Sequence, residues 1–219
     1  MSKIFVSLAL FILISSGSSK GENESDPVAA YYLNQADSVF NHDYIFKSEA
    51  DFSFKVTSIS QLTDYHGKLE ETDTALYEIL ISNGLVKSVN IIDSSKSKNN
   101  AAPDSFKITL PWLADCHKYF FPNDTGVGLL AIGFELLDSS RGAVFSGMVS
   151  VDRDNFRPSL ILVSYLDFNG FDRLSKTWEF EYGEPYIVIA RQETQSVRPG
   201  FLGKEYFRQI LIFSDYKFE

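Results

Sequence analysis

Alternation of apolar and polar residues with a period of two is the feature that most constrains this chain. In "ADFSFKVTS", Phe52, Phe54 and Val56 alternate with polar residues, which is the pattern of a β-strand with one buried face. A second alternating run, "TALYEILIS", is followed by Asn83-Gly84 and a third run. Asn-Gly favours the positive φ angles of a tight hairpin turn. The chain is therefore expected to be mainly β.

Further alternating runs follow one another to the C-terminus. They recur at roughly ten-residue intervals with charged or glycine-containing turns between them, the spacing expected of an antiparallel meander or barrel. No helical crossover interrupts them, so we expect one antiparallel sheet. The runs are "LLAIGFELLD", "GAVFSGMVSVD", "PSLILVSYLDF", "LSKTWEFEYG", "PYIVIARQET" and "EYFRQILIFSDYKF".

One amphipathic helix is predicted before the first strand. Asp26 is a candidate N-cap and Pro27 suits the first helical position. Apolar residues then recur at helical spacing, so one face of the helix is expected to pack on the sheet. The predicted face consists of Val28, Tyr32, Ala36, Val39 and Phe40.

The N-terminus has the order of a secretory signal peptide. Lys3 precedes a run from Ile4 to Ile14 that is apolar except for Ser7, and small residues follow. We predict a signal peptide over 1–19, a linker over 20–25 and a single domain over 26–219. Export by this route places the protein in the periplasm or, as the alternative, outside the cell.

Composition excludes several classes of partner and chemistry. The formal net charge of −9 disfavours nucleic acid, which wants a basic patch. Cys116 is the only cysteine, so no internal disulfide can form and the core must stabilise the domain. Asp152 and Asp154 lack the further ligands of a calcium loop. We expect no metal, no cofactor and no enzymatic activity.

The histidines and the cysteine do not form a catalytic pattern either. His42, His66 and His117 are far apart in sequence, without metal-ligand spacing. Cys116 and His117 are neighbours along the chain, and catalytic pairs usually converge from separate elements. No catalytic residue is therefore predicted.

Aromatic residues are the most unusual part of the composition, with nineteen Phe and eleven Tyr. On a strand face they usually form the core. The alternative is a cleft, which would suit acyl chains because burying each methylene contributes about 0.8 kcal/mol. For that alternative we predict a ligand-binding lining of Phe52, Phe54, Val56, Tyr77, Ile79, Phe134, Met148, Tyr165 and Trp178.

The order of these segments resembles the LolA/LolB-like family of outer-membrane lipoprotein-sorting proteins. The resemblance rests on "ADSVFNHDYIFKSEADFSFKV", on "SGMVSVDRDNFRPSLILVSY" and on the terminal "QILIFSDYKF". It implies a strongly curved antiparallel sheet or unclosed half-barrel, with helices as a lid over a hydrophobic cavity. From the sequence itself we also expect an irregular aromatic insertion, "ITLPWLADCHKYFFPNDTG", to cover the sheet beside the N-terminal helix.

The resemblance also implies a function. It implies carriage or sensing of lipids or lipoproteins in a bacterial periplasm. We therefore expect an envelope protein that binds a lipid or a lipidated protein non-covalently. We further expect it to be a monomer with peripheral contact to membrane-bound partners. The alternative hypothesis is a non-catalytic structural or protein-interaction β domain whose aromatics are ordinary core.

Overall fold

One ten-stranded antiparallel sheet with an α-helix on one face dominates the computed structural model. The structure describes residues 25–64, 66, 68–94, 117–121, 129–136, 145–168, 170–200 and 203–218. The predicted signal peptide, Cys116 and most of the predicted aromatic insertion lie outside these residues. Within them, no helix combines the length and the apolar character that a membrane crossing needs.

The elements follow the order predicted from the sequence except at β4, which forms within the predicted irregular insertion. Helix α1 spans Pro27–Asp43, and a short 3₁₀ helix spans Ile45–Lys47. The strands are β1 Phe52–Thr63, β2 Leu69–Ser82, β3 Leu85–Ser94, β4 His117–Phe120, β5 Leu129–Leu136, β6 Phe145–Asp152, β7 Pro158–Phe168, β8 Phe171–Gly183, β9 Tyr186–Pro199 and β10 Lys204–Phe218.

The strands are arranged in the order β3-β2-β1-β10-β9-β8-β7-β6-β5-β4. All neighbours are consecutive in sequence except β1 and β10, which pair from Phe52↔Phe218 to Thr63↔Tyr206. Among the described residues β3 and β4 form the two ends and do not pair with each other, so the sheet is open. The predicted class, a mainly β fold built on one unclosed antiparallel sheet, is confirmed.

Helix α1 begins where the sequence predicts. The Asp26 Oδ1 atom accepts hydrogen bonds from the backbone N–H groups of Val28 at 2.8 Å and Ala29 at 3.1 Å, as an N-cap should. The predicted buried face is partly wrong, because Val28 is 53% exposed. The buried stripe starts one residue later and keeps helical spacing: Ala29, Leu33, Ala36 and Phe40.

The helix and the sheet meet in a cluster of aromatic rings. Phe40 stacks on Tyr44 at 4.4 Å between ring centroids and meets Phe180 edge-on at 5.3 Å. Phe46, in the 3₁₀ helix, packs edge-on against Phe52 at 5.3 Å. We call the face of the sheet that carries these contacts the inner face and the opposite one the outer face.

A β-bulge in β10 brings a further ring into this cluster. Asp215 has a φ of 54°, and the register of β10 against β1 shifts beside it. The extra residue turns Tyr216 onto the inner face, where its ring stacks on Phe54 at 5.3 Å. The Tyr216 hydroxyl donates to the Ile189 carbonyl oxygen at 2.8 Å, so its burial leaves no unpaired hydroxyl.

The turn between β6 and β7 packs against the helix. The Asp152 Oδ1 atom accepts from the N–H groups of Asp154 at 2.9 Å and Asn155 at 3.1 Å, so this carboxylate shapes the turn. The Phe156 ring lies 5.5 Å from that of Tyr32 on α1. The guanidinium of Arg157 lies 3.6 Å from the centroid of the Tyr182 ring.

Gly147 provides a direct test of the packing on the inner face. It lies opposite Phe134, and a Cβ atom there would overlap the Phe134 ring and the Leu162 carbonyl oxygen. We expect Gly147→Ala to lower the free energy of unfolding by about 1–3 kcal/mol, because the crowded atoms must move. Urea unfolding followed by circular dichroism measures this.

Gly183→Ala is the matched control. A Cβ atom at Gly183 would have its nearest neighbours at 3.9 Å, an ordinary contact distance. The control should change the free energy of unfolding by less than about 0.5 kcal/mol. Equal effects of the two substitutions would contradict the close packing of Phe134 on Gly147.

Candidate functional site

The inner face changes character along the strands. On β1 its positions are Phe52, Phe54, Val56, Ser58, Ser60 and Leu62. Near the helix, cross-strand rows such as Tyr77, Val56 and Phe213 are apolar and buried. Beyond the row formed by Ala75, Ser58 and Leu211, the rows become mixed. This change divides the inner face into a packed part and an open part.

Most of the predicted lining lies in the packed part. Tyr165 and Trp178 are partly buried against the core cluster. Met148 lies on the outer face, since its neighbours Gly147 and Val149 occupy the buried register. Contact between any of these nine residues and a ligand stays a prediction. The six that are at most 1% exposed are Phe52, Phe54, Val56, Tyr77, Ile79 and Phe134.

The tyrosines of this set are neutral groups. Burial raises the pKa of Tyr77 and that of Tyr165. Both hydroxyls therefore stay protonated near neutral pH, where an unperturbed tyrosine is already neutral. They add no charge to the packed part of the inner face.

The open part contains a cavity of about 520 Å³, which we call the distal cavity. Two adjacent rows form its floor: Asp73, Ser60 and Gln209 make one, and Glu71, Leu62, Phe207 and Ser196 make the other. Its volume lies in the range typical of small-molecule sites. The full lining is Ser60, Gln61, Leu62, Glu71, Asp73, Phe171, Ser196, Arg198, Phe207 and Gln209.

The cavity combines an apolar strip with acidic groups. Leu62 and Phe207 are directly paired across β1 and β10. The Asp73 Oδ1 atom is buried and has no hydrogen-bond partner among the described residues. Arg198 is the one basic residue in the lining, and its Nε donates to Glu205 Oε2 at 2.8 Å. Its charge is thus matched within the protein.

A second charged cluster lies on the outer face and is internally satisfied. Glu193 is 8% exposed and accepts from Arg208 Nε at 2.8 Å, Arg191 at 2.5 Å and Gln195 Nε2 at 2.6 Å. Burial acts to raise the pKa of Glu193, but these hydrogen bonds and the two arginine charges lower it overall. We interpret the cluster as structural, because it joins β9 to β10.

The structure keeps the other sequence candidates apart. His42 lies near the end of α1, His66 lies in the connection between β1 and β2, and His117 begins β4. Among the described residues there is no group of three or more His, Cys, Asp or Glu side chains that could hold a metal ion.

Sequence reasoning missed the distal cavity. None of its lining residues is among the nine predicted to contact a ligand. A usable signal was present on β1, where the inner-face register changes from Phe and Val to Ser at Ser58 and Ser60. Side chains that are too small to reach a covering element leave space above the sheet.

Comparison with known proteins gives distant structural likenesses only. No family model matches the chain and no curated protein matches it. It is similar to an outer membrane lipoprotein-sorting protein domain from Vibrio parahaemolyticus, with 16% identity, a TM-score of 0.38, and coverage of 87% of this chain and 93% of that one.

Two further solved structures are similar at comparable coverage. One is a DUF1329 family protein from Desulfovibrio piger, with 11% identity, a TM-score of 0.39, and coverage of 89% of this chain and 94% of that one. The other is the Pseudomonas aeruginosa MucA/MucB complex, with 8% identity, a TM-score of 0.31, and coverage of 88% and 99%. Likenesses at these TM-scores say nothing about what this chain binds.

The outer-face cluster predicts a specific dependence on pH. We expect Glu193→Gln to lower the free energy of unfolding by about 1–3 kcal/mol at neutral pH, since charged hydrogen bonds are lost. The pKa of Glu193 is lowered by folding, so its contribution is complete above the unfolded-state pKa of about 4.3. It is lost as the pH falls through the folded-state pKa.

Denaturant unfolding of wild type and Glu193→Gln, at several pH values from acidic to neutral, measures the difference in their free energies of unfolding. Glu205→Gln is the control, because the Arg198–Glu205 pair is largely exposed, and exposed pairs contribute about 0–1 kcal/mol. If the free energies of unfolding of wild type and Glu193→Gln differed by the same amount at every pH, the structural role of the carboxylate would be contradicted.

Proposed function

We propose that this chain is an exported envelope protein that binds an amphipathic, acyl-bearing ligand non-covalently in the distal cavity. The observation that carries the proposal is the open part of the inner face, where a cavity of about 520 Å³ remains above the sheet. The leader-like N-terminus supports export. The ligand would be a lipid or the lipid part of a modified protein.

The apolar strip supports binding of a hydrocarbon chain. Leu62 and Phe207 lie side by side on β1 and β10, and Phe171 also lines the cavity. A chain laid along them would remove apolar surface from water on both sides, at about 25 cal/mol for each Å² buried. The packed rows next to the cavity would hold these strands in place.

The polar groups support a particular kind of ligand head. Asp73 offers a buried acceptor without a partner among the described residues, and Glu71 belongs to the same lining. Arg198 is already paired with Glu205. A ligand head group that donates hydrogen bonds would therefore be favoured. A carboxylate or phosphate head group would be repelled by the negative charges of the lining.

Binding of an apolar probe tests the site. We expect the chain to bind N-phenyl-1-naphthylamine, and we expect Phe207→Glu to weaken this binding at least about tenfold because a charge enters the apolar strip. Ile212→Glu is the matched control on β10, since Ile212 is 42% exposed on the outer face. Fluorescence titration measures both affinities.

Two results would contradict the cavity as the binding site. One is an equal loss of affinity in Phe207→Glu and Ile212→Glu. The other is a wild-type protein that neither binds the probe nor releases lipid into organic solvent, as judged by mass spectrometry. Urea unfolding of each variant separates loss of binding from loss of the fold.

Competition with matched amphiphiles tests the nature of the head. Below their critical micelle concentrations, dodecylamine and monolauroylglycerol should displace the probe more effectively than dodecanoate, because the lining carries Asp73 and Glu71. Asp73→Asn should reduce the preference for dodecylamine over dodecanoate by about threefold or more, since one carboxylate is removed. Equal displacement by all three would contradict the proposed head while leaving chain binding intact.

A further inference from the structure

The two edge strands of the sheet differ in whether another described segment covers them. At β4, the N-terminal segment covers the edge: the Asp26 N–H donates to the Tyr119 carbonyl oxygen at 2.9 Å, and the Tyr119 N–H donates to Ser25 Oγ at 3.3 Å. At β3, no described strand pairs with the outer edge. Strand β3 is also ten residues long, against four for β4.

The β3 edge, which no other described strand covers, is also apolar. Nine of its ten residues are exposed. Unpaired strand edges of this length and character are templates for pairing with another chain. The large exposed side chains on it are Leu85, Val86, Val89, Ile91 and Ile92, with exposed fractions from 36% to 63%.

We propose that β3 pairs antiparallel with β3 of a second copy of this chain, with the two-fold axis at Asn90. In this register, Val89 of each copy lies opposite Ile91 of the other. Lys87 of each copy likewise lies opposite Asp93 of the other. The dimer thus gains two apolar pairs and two ion pairs from one strand, and pairs of both kinds stabilise antiparallel sheets.

The alternation of faces and the positions of the charged residues together select this register. Val89 and Ile91 both extend inner-face rows, since they pair with Ile79 and Tyr77 on β2. Directly opposite residues of an antiparallel pair share a face, so the axis must pass through a residue rather than between two residues. Moving the axis from Asn90 to Val89 would place Lys87 opposite Ile91 and Asp93 opposite Leu85, which loses both ion pairs.

Two bulges in β3 limit how far the pairing extends. The register against β2 shifts between Leu80 and Ile81 and again between Leu76 and Tyr77, which makes Lys87 and Ile92 the additional residues of β3. Bulges in an edge strand oppose indiscriminate pairing. The register at Asn90 keeps the regular stretch from Ser88 to Ile91 at the centre of the interface.

This dimer differs from the monomer expected from the sequence and is independent of ligand binding. It joins two sheets edge to edge and places both inner faces on the same side. The two distal cavities would then lie on one side of the assembly, available to the same membrane surface or partner.

Charge reversal tests the interface. In analytical ultracentrifugation, wild type should form a dimer that dissociates on dilution. Lys87→Asp and Asp93→Lys should each raise the dissociation constant at least about tenfold, because each creates two like-charge pairs per dimer. The double variant Lys87→Asp/Asp93→Lys should return to within about threefold of wild type. A purely monomeric wild type, or a dimer that neither single substitution weakens, would overturn the proposal.

Cysteine cross-linking provides a second measurement that does not depend on affinity. In a Cys116→Ser background, Asn90→Cys should form an intermolecular disulfide on mild oxidation, because residues opposite each other in antiparallel strands lie about 4.5–5.5 Å apart. Leu85→Cys should not, since its copies would lie at opposite ends of the paired strands. Equal cross-linking of both variants would overturn the register.

Discussion

The pairing of β1 with β10 is the interaction on which the rest of the structure depends. It is the single junction between non-consecutive strands among the described residues, and it joins the first hairpins to the C-terminal meander. Without it, the row of Tyr77, Val56 and Phe213 would be divided between two small sheets. Each sheet would then expose half of the surface that now packs beneath the helix and the 3₁₀ segment, and burial of that surface is the main favourable term in folding.

Alternation of residue type was enough to predict every strand except β4, because a period of two is imposed by strand geometry itself. Strand β4 lies in the segment predicted to be irregular. Alternation could not predict the bulge at Asp215. Strict alternation from Leu211 and Phe213 would place Asp215 inside and Tyr216 outside. The left-handed backbone at Asp215 reverses this order, so the carboxylate reaches Lys55 Nζ at 2.7 Å and the tyrosine ring joins the core. Such a bulge depends on tertiary packing as well as on local backbone preference, so alternation alone does not reveal it.

The prediction of the binding site is also limited by what alternation can show. Alternation tells which face a residue occupies, but it does not tell whether the space above that face is filled. Phe52, Phe54 and Tyr77 were predicted to line a cavity from their size, and size is what allows them to meet Phe46 and the helix. The described residues leave open space above Ser60 and Gln209, two polar positions outside the predicted lining.

The inner face therefore places the packed core and the proposed binding cavity at different points along a single set of strands. The aromatic rows pack tightly against α1 and the 3₁₀ helix, so even the Cβ atom of an alanine at Gly147 has no room. The rows of the distal cavity lie beyond Ser58 and contribute less packing, and they carry an acceptor on Asp73 that is unpaired within the described residues. Substitutions in the cavity rows should leave the contribution of the aromatic rows to stability nearly unchanged. The reason is that the effects of substitutions on the free energy of unfolding are nearly additive at separated positions with no shared partners.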